Sequence, residues 1–379
     1  MENQILDPLR QEQARQYAKI RRRFMFLDLA LGTALLLLWL LLGWSVHLRD
    51  WILSWTQNQW VAVIVFGAFF GIVFSLLNLP LSFYTGYILP HRYGQSNQTL
   101  GGWGSDLMKS AILSAVLGGF VLEIVYLVLR TAPETWWLWT AGFLLLFNVL
   151  LTNLAPVILF PIFYKFSPLG EEHLNLQARL TSLAKKAATN VTGVFKFDMS
   201  RRTKAANAAL TGLGNTRRII LGDTLLKEFS ADEIETILAH ELGHHLNHDI
   251  PLSMVFQTIL TLGGLYLTSL GLSWGISRLG FGSISDIAAL PLFGLSLGAY
   301  GLITSPLSNG FSRWREGLAD DTALHLTGKG DAYASALTRL SNQNLAEVDP
   351  EPWVEFLLYS HPSLNKRIQK AQGFPSSPP

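Results

Sequence analysis

Ser230-Ala-Asp-Glu233-Ile-Glu-Thr-Ile-Leu-Ala-His240-Glu241-Leu-Gly-His244-His245-Leu-Asn-His248-Asp249 runs straight into Ile250-Pro-Leu-Ser-Met-Val-Phe-Gln-Thr-Ile259, the head of a long apolar stretch. The first half announces a helix. Ser230 and Glu233 form a capping box, in which the two side chains each satisfy an orphan backbone donor. His240 and His244 are four residues apart, so they share a face one turn apart and both imidazoles reach one ion. Glu241 stands beside the first, suited to act as general base on a metal-bound water. The second half, through Ser277, holds no charged side chain and is long enough to cross about 30 Å of hydrocarbon. A metal-binding helix thus abuts a membrane span.

The rest of the chain agrees. Of 379 residues 49% are hydrophobic and only 15% charged, against about 25% charged in ordinary globular chains; mean hydropathy is +0.29. Six stretches reach spanning length: Leu29–Val46, Trp60–Leu89, Ala111–Leu129, Trp136–Tyr164, Ile250–Ser277 and Ile287–Ser312. Only the third holds a charge, Glu123, which is expensive in hydrocarbon. The pairs Pro80/Pro90 and Pro156/Pro161 are expected to kink or stop their helices. The first stretch is longer than the core of a secretory signal, and Val46 is followed by His-Leu-Arg-Asp instead of small residues, so it reads as a retained anchor. A net charge of +2, unevenly placed, gives no footprint for nucleic acid. With no cysteine, disulfides, thiol nucleophiles, iron–sulfur clusters and Cys-based zinc fingers are excluded.

Lys and Arg in the short loops set the orientation. The leader carries Arg10, Arg15, Lys19, Arg21, Arg22 and Arg23, and loops on that side hold most of the remaining basic residues, so both termini are expected in the cytoplasm. The organisation expected is 1–165 as a membrane region with four spans and 166–250 as a cytoplasmic insert with the metal helix. Two spans follow in 251–312, then a cytoplasmic region over 313–379. In the insert, Glu171–Lys186 reads as a helix, Gly193–Asp198 and Arg218–Leu221 as strands, and Ala205–Leu210 as an edge strand. The tail reads as helices over Trp314–Leu326 and Ala332–Ser341, ending in an irregular Pro375–Pro379.

Tetrahedral catalytic zinc needs a third protein ligand and an open position. His245 and His248 stand at the wrong spacing for a metzincin, and His248 reads as an interfacial polar residue. The better donor lies beyond the last span, in Phe311-Ser-Arg-Trp-Arg-Glu316-Gly-Leu-Ala-Asp320-Asp321. Glu316 can bind the ion while Asp320, four residues on, accepts a hydrogen bond from a ligand histidine and fixes its tautomer. Alone this is a solvated charged turn. Topology changes the balance: two spans separate His244 from Glu316, so both return to one membrane rim.

In this order the residues resemble the integral-membrane zinc metallopeptidases of the type I CAAX prenyl endopeptidase group, with the HtpX-type heat-shock proteases as smaller relatives. The resemblance takes in Phe163-Tyr-Lys-Phe-Ser-Pro-Leu169, Asn207-Ala208 with Arg217-Arg-Ile-Ile-Leu-Gly-Asp-Thr-Leu-Leu226, His240–His244, Arg313 through Asp320, and Ser360-His361-Pro362 with Arg367. It implies one Zn2+ per chain on His240, His244 and Glu316, with Glu241 as base. It implies that the edge strand with Asn207 and Ala208 pairs with an extended substrate, and that His361, with Arg367, stabilises the oxyanion. Without the resemblance, His361 is a turn residue before a proline. Two departures stand out: the family is described as seven-span α-barrels where six spans are counted here, and its Asn-x-Gln-Thr stretch reads Ser96-Asn-Gln-Thr99.

The fold class expected is mainly α: a polytopic membrane helical bundle or barrel with a cytoplasmic zincin-like metalloprotease domain containing a small β-sheet. The function expected is a membrane-embedded zinc metalloendopeptidase acting on peptide or protein substrates, lipid-modified or membrane-inserted, in contact with membrane lipid and not nucleic acid. One rival is a quality-control protease without prenyl specificity. Another is a metal transporter, which would set ligands across the bilayer middle instead of clustering them at one rim.

Overall fold

Six helices in the computed structural model, which describes residues 6–212 and 217–375, are long and apolar enough to cross a membrane. The first, α1 (Pro8–Leu41), is one unbroken rod of 34 residues. Asp7 caps it by accepting from the Leu9 and Arg10 amides, and Pro8 fills a first-turn position whose missing N–H costs nothing. The basic leader is therefore a rigid extension of span one. That span ends earlier than expected: Gly43 adopts a left-handed φ of 67°, and Trp44–Leu53 forms a separate helix, α2. At 10 residues α2 is too short to cross, since about 20 are needed.

Span two is α3 (Gln59–Arg92), span three α4 (Leu100–Thr131) and span four α5 (Trp136–Phe163). Neither proline pair stops its helix. Pro90 and Pro161 lack the N–H that would reach the carbonyls of Gly86 and Val157, and their rings crowd those same carbonyls. Each carbonyl lies inside a wide π-turn, Tyr84–Ile88 and Ala155–Leu159, which absorbs the clash without ending the helix.

The polar insert then builds a four-stranded sheet. The strands are β1 (Phe166–Pro168), β2 (Val194–Phe197) after helix α6 (Leu174–Lys186), β3 (Ala208–Thr211) and β4 (Arg218–Gly222). Their order is β1-β2-β4-β3, with only β2 and β4 parallel. Ile219, Ile220 and Leu221 of β4 are all buried, the continuous apolar run of a strand covered on both faces. β3 lies at the edge. It begins later than expected, because Ala206 is tied to the Asn344 side chain and not to the ladder.

Helices α7 (Asp223–Glu228) and α8 (Ala231–Leu246) follow, then span five, α9 (Asp249–Leu279). Span six, α10 (Leu290–Thr327), does not break after Ser312; it continues for 15 residues as the helix expected separately over 314–326. Helices α11 (Gly330–Gln343), α12 (Pro352–Leu358) and α13 (Leu364–Gln372) complete the fold. Of the expected irregular end, 376–379 lies outside the described residues.

Two apolar cores result. One joins spans through Trp39, Phe66, Trp136 and Leu272; the other packs Leu180, Ile219, Leu238 and Leu337 around the sheet. Large apolar side chains such as Ile303 (79% exposed) and Leu146 (71%) face outward from the spans. Such a surface suits a lipid solvent, not water.

Candidate metal centre

The capping box on Ser230 and Glu233 is formed, so α8 starts where the sequence places it. Gly243 then lets α8 meet α10 closely: a Cβ there would lie 2.9 Å from the Ala319 carbonyl oxygen. This crossing brings the two histidines against Glu316. The Nε2 atoms of His240 and His244 are 3.2 Å apart. Glu316 Oε2 lies 3.3 Å from the first and Oε1 3.5 Å from the second.

The ring tautomers follow from the partners behind them. His240 Nδ1 is 3.0 Å from Asp320 Oδ1, and His244 Nδ1 is 2.6 Å from Asp249 Oδ2. Carboxylates accept, so each Nδ1 carries a proton; with the rings neutral, as metal binding requires, each Nε2 is left with a lone pair. Glu316 Oε2 is buried and has no hydrogen-bond partner. With the rings neutral, ligand atoms of His240, His244 and Glu316 converge within 4.8 Å, a set that fits a divalent cation.

Without a cation, a proton on His240 serves the same carboxylates. Burial opposes charge on His240, but the Asp320 and Glu316 carboxylates beside it outweigh that and push its pKa up to about 9. Burial also opposes charge on Glu316 and Asp320. His240 and His361 beside Glu316, and His240 and Arg367 beside Asp320, hold both carboxyls well below the usual carboxylate range. Glu241, partly buried beside the pair, is raised, chiefly by burial; a backbone hydrogen bond from Leu210 in β3 acts the other way.

Asp320 is heavily held. Tyr333 donates its hydroxyl to Oδ1 at 2.5 Å, and Arg367 grips both oxygens at 2.9 and 2.7 Å. The Arg367 guanidinium packs behind the first imidazole, with Nη2 4.0 Å from Glu316 Oε2, whereas the sequence reading sets it beside His361. His361 does face that open side: its side chain is 55% exposed, with Nε2 3.1 Å from Glu316 Oε1. Arg313 holds this segment by donating to the carbonyls of Glu355 and Tyr359 at 2.8 and 2.6 Å. Ala208 starts β3 opposite Leu221, while Asn207 just precedes it and accepts from the Gly222 amide at 2.9 Å. His248 is exposed and outside the cluster.

Sequence reasoning misses Asp249, Arg315 and Tyr333. In a straight helix Asp249, five residues after His244, would point about 140° away from it. Only a break at His248, in the left-handed region at φ 55°, turns it back. The Ser96–Thr99 stretch lines no part of the cluster. Ser96 bridges Thr203, and Gln98 and Arg202 both bind Asp106, tying the α3–α4 loop to the sheet domain.

Comparison with known proteins gives the family. Residues 171–374 match the model of peptidase family M48, and residues 3–165 match that of the CAAX prenyl protease N-terminal region with five membrane helices. The chain belongs to peptidase family M48. It is 28% identical over 371 residues to an uncharacterized metalloprotease of Bacillus subtilis, covering 96% of this chain and 86% of that one. It is 30% identical over 312 residues to CAAX prenyl protease 1 of Saccharomyces cerevisiae, covering 78% and 68%. The crystal structure of S. mikatae Ste24p superposes with a TM-score of 0.86 at 25% identity, over 98% of this chain and 90% of that one. This M48 member is thus a multi-pass membrane metallopeptidase resembling the CAAX prenyl proteases. Its N-terminal region carries four spans plus the short α2 where the family model describes five membrane helices.

Proposed function

We propose that His240, His244 and Glu316 hold one zinc ion and that Glu241 is the general base of a membrane-rim endopeptidase. The observation that carries this is the convergence of His240, His244 and Glu316, two buried and one half-buried, at the helix that packs against the edge strand β3. Zinc bound there supplies a Lewis acid for the scissile carbonyl and lowers the pKa of a coordinated water. The chain's own residues do the rest. Glu241, raised by burial, takes a proton and delivers it to the leaving amine. His361 donates to the carbonyl oxygen as it gains charge. β3, with Asn207 and Ala208 at its start, pairs with an extended substrate through backbone hydrogen bonds. Asp320 fixes the His240 tautomer, and Arg367 secures Asp320.

The substrate we infer is a peptide with a lipid-modified or membrane-inserted end. A groove between α5 and α9 reaches His244 from the membrane side, lined by Leu144, Leu145 and Met254 but also by Asn148, Thr152 and Gln257. Such a mixed lining accommodates an apolar moiety with a polar backbone beside it. We place this rim in the cytoplasm, and read 166–250 and 313–379 as a catalytic unit interrupted by two spans over 251–312. Glu241→Gln should retain zinc while abolishing hydrolysis; full activity in that variant ends the mechanism. Cleavage of prenylated and unprenylated peptides at equal rates would instead make this a quality-control protease without prenyl specificity.

A further inference from the structure

Each imidazole of the centre has a carboxylate behind it, and each carboxylate has an arginine. Asp320 with Arg367 backs His240 from within the sheet domain. Asp249 backs His244 at the membrane boundary, and Arg315 Nε lies 2.6 Å from its other oxygen, Oδ1. Asp249 and Arg315 are each only 7% exposed. We propose that Asp249 and Arg315 are a positioning pair for the second imidazole of the metal centre, an inference that rests on the metal-centre reading above.

Three observations support it beyond the hydrogen bond itself. First, the backbone is bent to make the contact. His248 adopts φ 55° and ψ 38° between α8 and α9, a region that is strained for a non-glycine residue and persists only where surroundings enforce it. Second, Arg315 does two jobs at once. Its Nη2 contacts both Asp249 Oδ1 and the carbonyl of Asn247, a terminal acceptor of α8 that would otherwise be orphaned. Third, Arg315 precedes Glu316 in α10, and its guanidinium stacks 4.9 Å from the Trp314 ring. One helix thus presents a metal donor while its neighbouring residue fixes the ring opposite. The ionised carboxylate holds the proton on His244 Nδ1, so the Nε2 lone pair remains available to a cation. Arg315 offsets the charge that burial would otherwise penalise.

The test uses full-length protein in lipid nanodiscs, stripped of metal and titrated with Zn2+ or Co2+. Asp249→Ala should weaken Zn2+ affinity about 10–100-fold and shift the visible absorption of the Co2+ form, a signature that a purely structural role would not move. That variant leaves Arg315 buried and unpaired, so Asp249→Asn/Arg315→Gln, neutral and similar in shape, is measured beside it and should show comparable metal loss. Asp249→Glu keeps both charges but lengthens the side chain, and should displace His244 enough to weaken affinity and alter the Co2+ spectrum. Wild-type affinity and an unchanged Co2+ spectrum in any one of these variants, folded by size exclusion, overturn the pairing. Failure of the wild type to bind either ion overturns the metal-centre reading instead.

Discussion

Gly243→Ala tests whether the crossing of α8 and α10 sets the metal geometry. The added Cβ would meet the Ala319 carbonyl oxygen at 2.9 Å and the Ala319 Cα at 3.0 Å, where ordinary contact begins near 3.4 Å. Both obstacles are backbone, so no rotamer change relieves them. The helices must separate by about half an ångström at this point, at a cost of about 1–3 kcal/mol for overpacking. Replacing glycine inside a helix returns roughly 0.5–1 kcal/mol. Net destabilisation of the metal-free protein is therefore small, about 0–2.5 kcal/mol. Metal binding is the sensitive quantity. Gly243 lies between the two histidines and Ala319 between Glu316 and Asp320, while ligand distances tolerate only about ±0.2 Å. Zinc affinity should fall at least about tenfold, and peptidase activity with it. Competition with a chromogenic chelator, beside thermal unfolding of the metal-free form, separates the two effects. A folded variant with wild-type zinc affinity would refute the claim that this close approach assembles the site.

Other outcomes follow from the same geometry. Because burial raises the Glu241 carboxyl, activity should rise with pH through a midpoint above the 4.5 of an ordinary glutamate, measured as a kcat/KM profile on zinc-loaded enzyme. The metal-free protein should behave oppositely. His240 is raised from 6.5 to about 9, so its contribution to stability is complete below pH 6.5 and is lost as pH climbs through 9; thermal midpoints across that window check the sign. Tyr333→Phe removes one donor from Asp320 but leaves the Arg367 fork, so zinc affinity should drop less than about tenfold, within the net worth of a single hydrogen bond.

The sequence carries the spans plainly, because lipid allows no compromise on length or charge. His240, His244 and Glu241 are legible because helix spacing alone puts the two imidazoles on one face. Glu316 is legible only by counting spans back to the same rim. What escapes is whatever depends on a local departure from regular geometry. Asp249 reaches His244 through the left-handed His248, and no periodicity announces that turn. The π-turns look in sequence like helix breaks, since proline chemistry is the same in both cases and only packing decides the outcome. The role of Arg367 is hidden for another reason. Its partner Asp320 lies 47 residues away, and a lone arginine near an active site looks the same whether it faces substrate or a carboxylate behind it.

The segment Arg313–Asp320 of α10 reaches both imidazoles and the α8 crossing, and its first residue allows catalysis to be separated from metal binding. Arg315 reaches Asp249, Glu316 faces both imidazoles, Ala319 seats Gly243 and Asp320 holds His240. Arg313 alone turns away from the metal, toward the carbonyls of Glu355, Phe356 and Tyr359 just ahead of His361. Arg313→Gln should therefore leave zinc affinity close to wild type while loosening the segment that carries His361. If His361 serves the developing oxyanion, loss of such a donor costs about 10²–10³ in kcat, and Arg313→Gln should approach that figure. The double variant with His361→Ala should then be little worse than His361→Ala alone, because both changes remove one interaction. Multiplicative losses in the double variant would show that Arg313 acts elsewhere, and a parallel loss of zinc would show that this face of α10 is not independent of the metal.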